Sequence, residues 1–332
     1  MKKRLLKFVP WLVAGGLLVL VLSNVPLTDT WTALRQLQWS QIMLLIALNG
    51  LILILLNTRW WIILRGHGQR ISFPALFGYR LATFGVSYFT PGPHFGGEPM
   101  QVYLVEKEFQ TPRVTAVAAM SLDKSLELLV NFTFLLAGVI IIIQQQALGD
   151  TVRSEVIVIA GLLFLVPVGY LLAMWRHRAP LSWLMEKTIR LPFWRRKPVW
   201  QSRLQQGQET VYNSERETAL FFRRAPWSLV LALLVSIAAW VLMIFEFWLM
   251  VSFLGLSLSS VQLVTALTAA RIAILLLLPG SIGALEASQA FAFGAMGLNP
   301  AIGISASLLI RGRDIVLGTI GLWWGSKKVT LG

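Results

Sequence analysis

The sequence predicts an all-α, polytopic membrane protein, with about six full spans and two re-entrant helical hairpins arranged as an inverted-topology repeat. Three observations carry that prediction: long apolar blocks, a charge distribution that orients them, and a Pro-Gly-to-Glu segment that occurs twice.

Hydrophobic residues make up 56% of the chain and charged residues only 13%, and the mean hydropathy is positive. The apolar residues fall in blocks at 8–24, 41–64, 126–144, 155–175, 227–254 and 301–325 rather than at amphipathic spacing. Each block comes near or above the ~20 residues needed to cross about 30 Å of hydrocarbon, so all six read as spans. The first follows Lys2, Lys3, Arg4 and Lys7. Its small residues Ala14, Gly15 and Gly16 sit inside the run and no A-x-A site follows Leu22, which favours a signal anchor over a cleaved signal peptide. The lack of cysteine excludes disulfides, thiol nucleophiles and Cys-ligated zinc. His67, His94 and His177 are scattered, so neither a metal nor another cofactor is expected.

The net charge of +14 need not imply nucleic acid, because +7 of it lies in residues 176–226. Such a basic loop is cytoplasmic by the positive-inside rule, and no nucleic-acid partner is expected. Within it, Leu181, Leu184, Met185 and Ile189 share one helical face. That suits either a helix lying on anionic headgroups or an ordinary solvated loop.

Lys2 to Lys7 at one end and Lys327 with Lys328 at the other put both termini inside, and Arg65 and Arg70 mark a cytoplasmic turn. The remaining segments must then satisfy parity. Residues 73–105 leave the cytoplasm and return to it, breaking at Pro91, Gly92 and Pro93; residues 259–298 leave and regain the outer side, breaking at Pro279 and Gly280. Both are expected to be re-entrant hairpins. The chain thus divides into a first membrane repeat, 1–154, and a second, 155–332, of opposite orientation. This is a common plan of secondary transporters, whose broken helices meet near the midplane.

Spacing supports the repeat independently. Pro91-Gly92 precedes Glu98 as Pro279-Gly280 precedes Glu286, by seven and six residues in each copy, with Gly96 and Gly97 between in one and Gly283 in the other. Farther on, Lys124 and Glu127 stand three apart, as do Arg311 and Asp314. A cation and an anion at i, i+3 share a helical face, so each copy is expected to carry an ion pair inside a span. Charges in a lipid-facing helix cost about 2.5–3.5 kcal/mol each, so Asp123, Lys124 and Glu127 must face the interior. These pairs are compatible with interhelical glue and with a substrate site.

Glu98 and Glu286 each open the helix after a glycine-rich break. There a carboxylate either caps free N–H groups or helps a half-helix bind a charged headgroup or exchange a proton. Arg80, Arg271 and Arg311 are the cations expected to hold a lipid phosphate, since guanidinium forks onto its oxygens. Glu246 is a candidate proton site or an interhelical partner. Arg313 has no assignable partner, and Arg59 is expected to snorkel. Trp60, Trp61, Trp175, Trp227, Trp323 and Trp324 suit a cytoplasmic interfacial belt.

At PGPHFGGEPMQVYLV with the following DKSLELL, and at LLPGSIGALEASQAFAFGAMGLNPAIGISASLLIRGRD, the chain resembles the lysylphosphatidylglycerol synthase transmembrane-region family. The resemblance runs from roughly residue 10 to 326, with only the two motif regions specific. Members usually have Arg where Lys124 stands and Asp where Glu127 stands, and both departures keep the charge. The resemblance implies a flippase-like membrane domain; the aminoacyl-transfer domain of the synthases has no counterpart before Gly332 and is expected to be absent. The function expected is translocation of an anionic or aminoacylated phospholipid, or a polyprenyl-phosphate lipid, across a bacterial cytoplasmic membrane. Two rivals are an intramembrane transferase on lipid-linked substrates and a non-catalytic scaffold for a separately encoded lipid-modifying enzyme. Against the transferase, the chain has no nucleotide-binding loop and no metal-ligand cluster.

Overall fold

A computed structural model describes residues 27–90, 96–146, 155–189, 198–276, 278 and 281–330, and among these the chain forms helices and no strand. In order they are α1 (Leu27–Arg35), α2 (Trp39–Gly66), α3 (Phe73–Phe89), α4 (Glu98–Phe109), α5 (Arg113–Gln144) and α6 (Glu155–Trp175). They continue with α7 (Pro180–Ile189), α8 (Pro198–Arg224), α9 (Pro226–Phe253), α10 (Ser260–Ile274), α11 (Ala284–Ala295) and α12 (Pro300–Thr330). The protein is all-helical, and α2, α5, α6 and α9 are long and apolar enough to cross a membrane. α12 has the length, 31 residues, but carries Arg311, Arg313 and Asp314 in its middle. The expected span 8–24 and the basic residues before it lie outside the described residues.

Local chemistry sets the boundaries. Proline opens α7, α8, α9 and α12, where its missing N–H has no intrahelical partner to lose. The segment 73–105 resolves into α3 of 17 residues and α4 of 12, and 259–298 into α10 of 15 and α11 of 12. All four fall below the ~20 residues of a full crossing. The first pair ends one helix at Phe89 and opens the next at Glu98, and the second ends one at Ile274 and opens the next at Ala284; Pro91, Gly92, Pro279 and Gly280 themselves lie outside the described residues.

The packing follows a crossed pattern. α3 runs along α12, α10 packs on α5, and α2 packs on α9, while α4 rests on α5 and α11 on α12. Each short pair therefore lays its first arm on a long helix of the other half of the chain and its second arm on its own. Small residues allow the crossings, as expected where apolar lipid offers no hydrophobic drive and van der Waals fit must hold helices together. A Cβ at Gly85 would stand 2.5 Å from the Gly318 carbonyl oxygen, and one at Gly321 would collide with the Leu81 carbonyl. The α10 and α5 contact uses Gly138 against Thr268 in the same way. Two cores result. One joins Ile63, Leu76, Leu104 and Leu122 of α2 to α5, and the other joins Phe247, Val251, Leu267, Phe293 and Ala306 of α9 to α12.

The basic segment 176–226 is mostly helix rather than loop. α8 buries Ser214, Glu215, Thr218, Ala219 and Phe221, a stripe at helical spacing against α5, α6 and α7. The Glu215 carboxylate accepts the Leu181 and Ser182 N–H groups at 2.8 and 2.9 Å and so caps α7 from α8, satisfying free donors of its first turn. Of the predicted α7 face, Leu181 and Leu184 are exposed and Ile189 is buried. The tryptophan belt also needs correction: Trp175, Trp227 and Trp323 are exposed, but Trp60 is 1% exposed and belongs to the first core.

Candidate functional site

A cavity of about 400 Å³ lies between the two halves. Its polar lining includes Arg59, Arg80, Glu98, Asp123, Lys124 and Glu127 from α2 to α5, and Glu246, Arg271, Arg313 and Asp314 from α9 to α12. Ionisable groups at such a depth persist only if paired or solvated, and here nearly all are paired.

In the first half, Arg59 forks onto Asp123, with Nε to Oδ1 at 2.6 Å and Nη2 to Oδ2 at 3.0 Å, and Nη2 also reaches Glu127 at 3.3 Å. Arg80 donates to the same Asp123 at 3.4 Å. Lys124 donates to Glu127 at 2.9 Å and lies 3.3 Å from Glu98. Glu98 in turn accepts the Gly96 N–H at 2.7 Å.

In the second half, Arg311 forks onto Glu286, with Nε to Oε1 at 2.5 Å and Nη2 to Oε2 at 2.9 Å. Glu286 also accepts the Gly283 N–H at 2.9 Å, and Arg311 Nη1 donates to the Tyr88 hydroxyl of α3 at 3.3 Å. Arg313 Nη1 donates to both Glu246 oxygens at 3.1 and 3.0 Å, and its Nε donates to Asp314 at 2.9 Å.

Each of the two carboxylates accepts an N–H of its own glycine-rich break, the capping role read from sequence, and each also meets a cation on the following long helix. They differ in access. Glu98 lines the cavity; Glu286 is 0% exposed and, with Arg311, stands behind the wall formed by Ser281 and Leu285. Arg80, Arg271, Lys124, Glu127, Asp314 and Glu246 line the cavity as well. The breaks need their glycines: Gly96 and Gly283 have φ of 149° and 78°, which side chains rarely tolerate, and a Cβ at Gly97 would strike the Thr83 carbonyl.

Three expectations require correction. The i, i+3 pair forms between Lys124 and Glu127, but Arg311 turns to Glu286 while Asp314 is held by its neighbour Arg313. Arg313 is not without a partner: it pairs with Glu246, the interhelical alternative read for that acid. Arg59 does not snorkel, because Asp123 holds its guanidinium in the interior. A sequence signal existed for the last two. Arg59 precedes Pro91 by 32 residues and Glu246 precedes Pro279 by 33, and both stand twenty residues after the first residue of a 28-residue helix. Gln101 and Gln289 were also missed, although each follows its hairpin Glu by three residues.

Residues 8–321 match the family described as the lysylphosphatidylglycerol synthase TM region. The chain belongs to that family. Among curated proteins it is similar to two UPF0104 membrane proteins of Methanothermobacter thermautotrophicus. One is 22% identical over 90% of this chain and 87% of the relative, the other 26% identical over 85% and 83%. A UPF0104 membrane protein of Methanocaldococcus jannaschii is 23% identical over 84% of this chain and 82% of that protein. No solved structure matches the chain. For this member of the lysylphosphatidylglycerol synthase TM region family, the match covers both short helix pairs and the long helices that hold their charges.

Proposed function

We propose that the protein translocates a phospholipid or a polyprenyl-phosphate lipid by exposing the central cavity alternately to the two sides of the cytoplasmic membrane. The observation that carries this reading is the cavity itself: charged groups from both halves surround about 400 Å³ inside an otherwise apolar framework. That volume falls in the range of about 300–1,000 Å³ usual for ligand sites, enough for a headgroup while acyl chains stay in lipid. Family membership supports a lipid-handling role.

The crossed packing supports an inverted repeat in which the short helix pairs are re-entrant. Exchanging α2 with α9, α3 with α10, α4 with α11 and α5 with α12 converts the contacts of α3 with α12 into those of α10 with α5, and returns the α2 with α9 contact to itself. Both termini and α7 and α8 are then cytoplasmic. Single cysteines replacing the exposed Ser72 and Ser257 test this, since the chain has none of its own. An impermeant thiol reagent is expected to reach Ser72→Cys from inside and Ser257→Cys from outside; modification of both from one side refutes the arrangement.

The function is tested in liposomes with labelled phospholipid and polyprenyl-phosphate probes. Wild-type protein is expected to accelerate lipid movement, and Glu98→Gln, which removes one of the two carboxylates that Lys124 meets in the cavity, to slow it. Movement no faster than in protein-free vesicles overturns the reading.

A further inference from the structure

Every carboxylate lining the cavity already has a cation: Lys124 for Glu98, Arg59 and Arg80 for Asp123, Lys124 and Arg59 for Glu127, and Arg313 for Glu246 and Asp314. Among the lining cations, Arg271 alone forms no ion pair among the described residues. Its guanidinium lies 4.4 Å over the Trp240 ring and its Nη2 4.0 Å from the Met243 sulfur. These soft contacts hold the group in place without neutralising it.

Two more lining groups are unspent. The Gln101 amide nitrogen and the Ser281 hydroxyl are buried, with their residues 5% and 1% exposed, and neither has a hydrogen-bond partner among the described residues; nor does the Arg271 Nε. Leaving such a group unpaired costs about 1–3 kcal/mol, so three in one cavity call for a partner that the protein does not supply. All three can donate. Two come from the second short helix pair and its break, and Gln101 comes from the first, so a shared ligand would bridge the halves.

We propose that Arg271, Ser281 and Gln101 form a binding site for a tetrahedral oxyanion, the phosphate group of the transported lipid. A phosphate presents acceptors in several directions at once and takes a guanidinium fork with charge-assisted bonds. The already paired carboxylates repel it weakly. The proposal rests on the translocase reading for the lipid, but the donor set stands without it.

The test is calorimetric titration of the detergent-solubilised full chain with dihexanoyl phosphatidic acid, dihexanoylglycerol and inorganic phosphate. The phosphatidic acid is expected to bind and the phosphate-free glycerolipid not to. Arg271→Gln should weaken binding by about tenfold or more. Ser281→Ala and Gln101→Leu should each weaken it by a few fold. Arg271→Lys, which keeps the charge and loses the fork, falls between and guards against a folding defect. Displacement of the lipid by inorganic phosphate identifies a site for the free anion; no displacement identifies a site needing the lipid headgroup. Wild-type affinity in Arg271→Gln, or equal binding of the glycerolipid, overturns the proposal. Binding without transport in liposomes would sink the translocase alone, whereas transport unaffected by Arg271→Gln would sink this site alone.

Discussion

The two short helix pairs carry one motif in two states of engagement. In α10 and α11, Glu286 is sealed from solvent and gripped by both arms of the Arg311 fork, and Gln289 donates to the Ala266 carbonyl at 2.8 Å. In α3 and α4, Glu98 faces the cavity across 3.3 Å from a lysine that it shares with Glu127, and the Gln101 amide is unspent. The same residue types at the same spacing thus act as a sealed lock on one side and as part of the cavity wall on the other. Burial and the partner's geometry make the difference, since a guanidinium can fork where an ammonium acts as a point charge.

The sharpest way to break this comparison is to remove the two acids. Glu286→Ala leaves Arg311 buried without its carboxylate and should cost about 3–5 kcal/mol of stability. Glu98→Ala leaves Lys124 still paired with Glu127 and should cost about 1 kcal/mol. Unfolding in mixed micelles measures both, and equal losses would show that the two sites are not differently engaged.

Next in size are the helix crossings. Gly321→Val drives a side chain into the Leu81 carbonyl, and overpacking of that kind costs typically 1–3 kcal/mol. Gly312→Val on the same helix, where nothing lies within 4 Å of an added Cβ, is expected to change micelle unfolding far less.

The smallest contrast concerns the glutamines. Gln289→Leu loses a buried bond to Ala266 and should cost about 1 kcal/mol, whereas Gln101→Leu removes an unpaired donor and should be neutral or slightly stabilising. A Gln101→Leu protein less stable than Gln289→Leu would show that the first amide is engaged after all.

Much of this was legible in the sequence because it depends on local spacing. The apolar blocks gave four of the long helices directly, and the prolines marked where α3, α4, α10 and α11 break. Lys124 and Glu127 found each other as an i, i+3 pair must. What was not legible runs between helices. Asp314 shares a face with Arg311, yet Arg313 reaches it first and also captures Glu246 from α9, a choice fixed by packing rather than by spacing. Arg59 read as an end-of-span cation because its partner Asp123 is 64 residues away. α8 was hidden for another reason. Its buried stripe includes Ser214, Glu215 and Thr218 beside Ala219 and Phe221, and polar residues at those positions break the apolar pattern that would reveal a helix.

The ion pairs also bear on how the chain is made. Arg59 with Asp123 and Glu127, and Lys124 with Glu98, close wholly among residues synthesised before Glu155; Glu246 with Arg313, and Arg311 with Glu286, close wholly after it. Each of these pairs is neutralised within its own batch. The early helices can therefore leave the insertion machinery as an electrically complete unit, without waiting on the ribosome for the α9 to α12 segment to arrive.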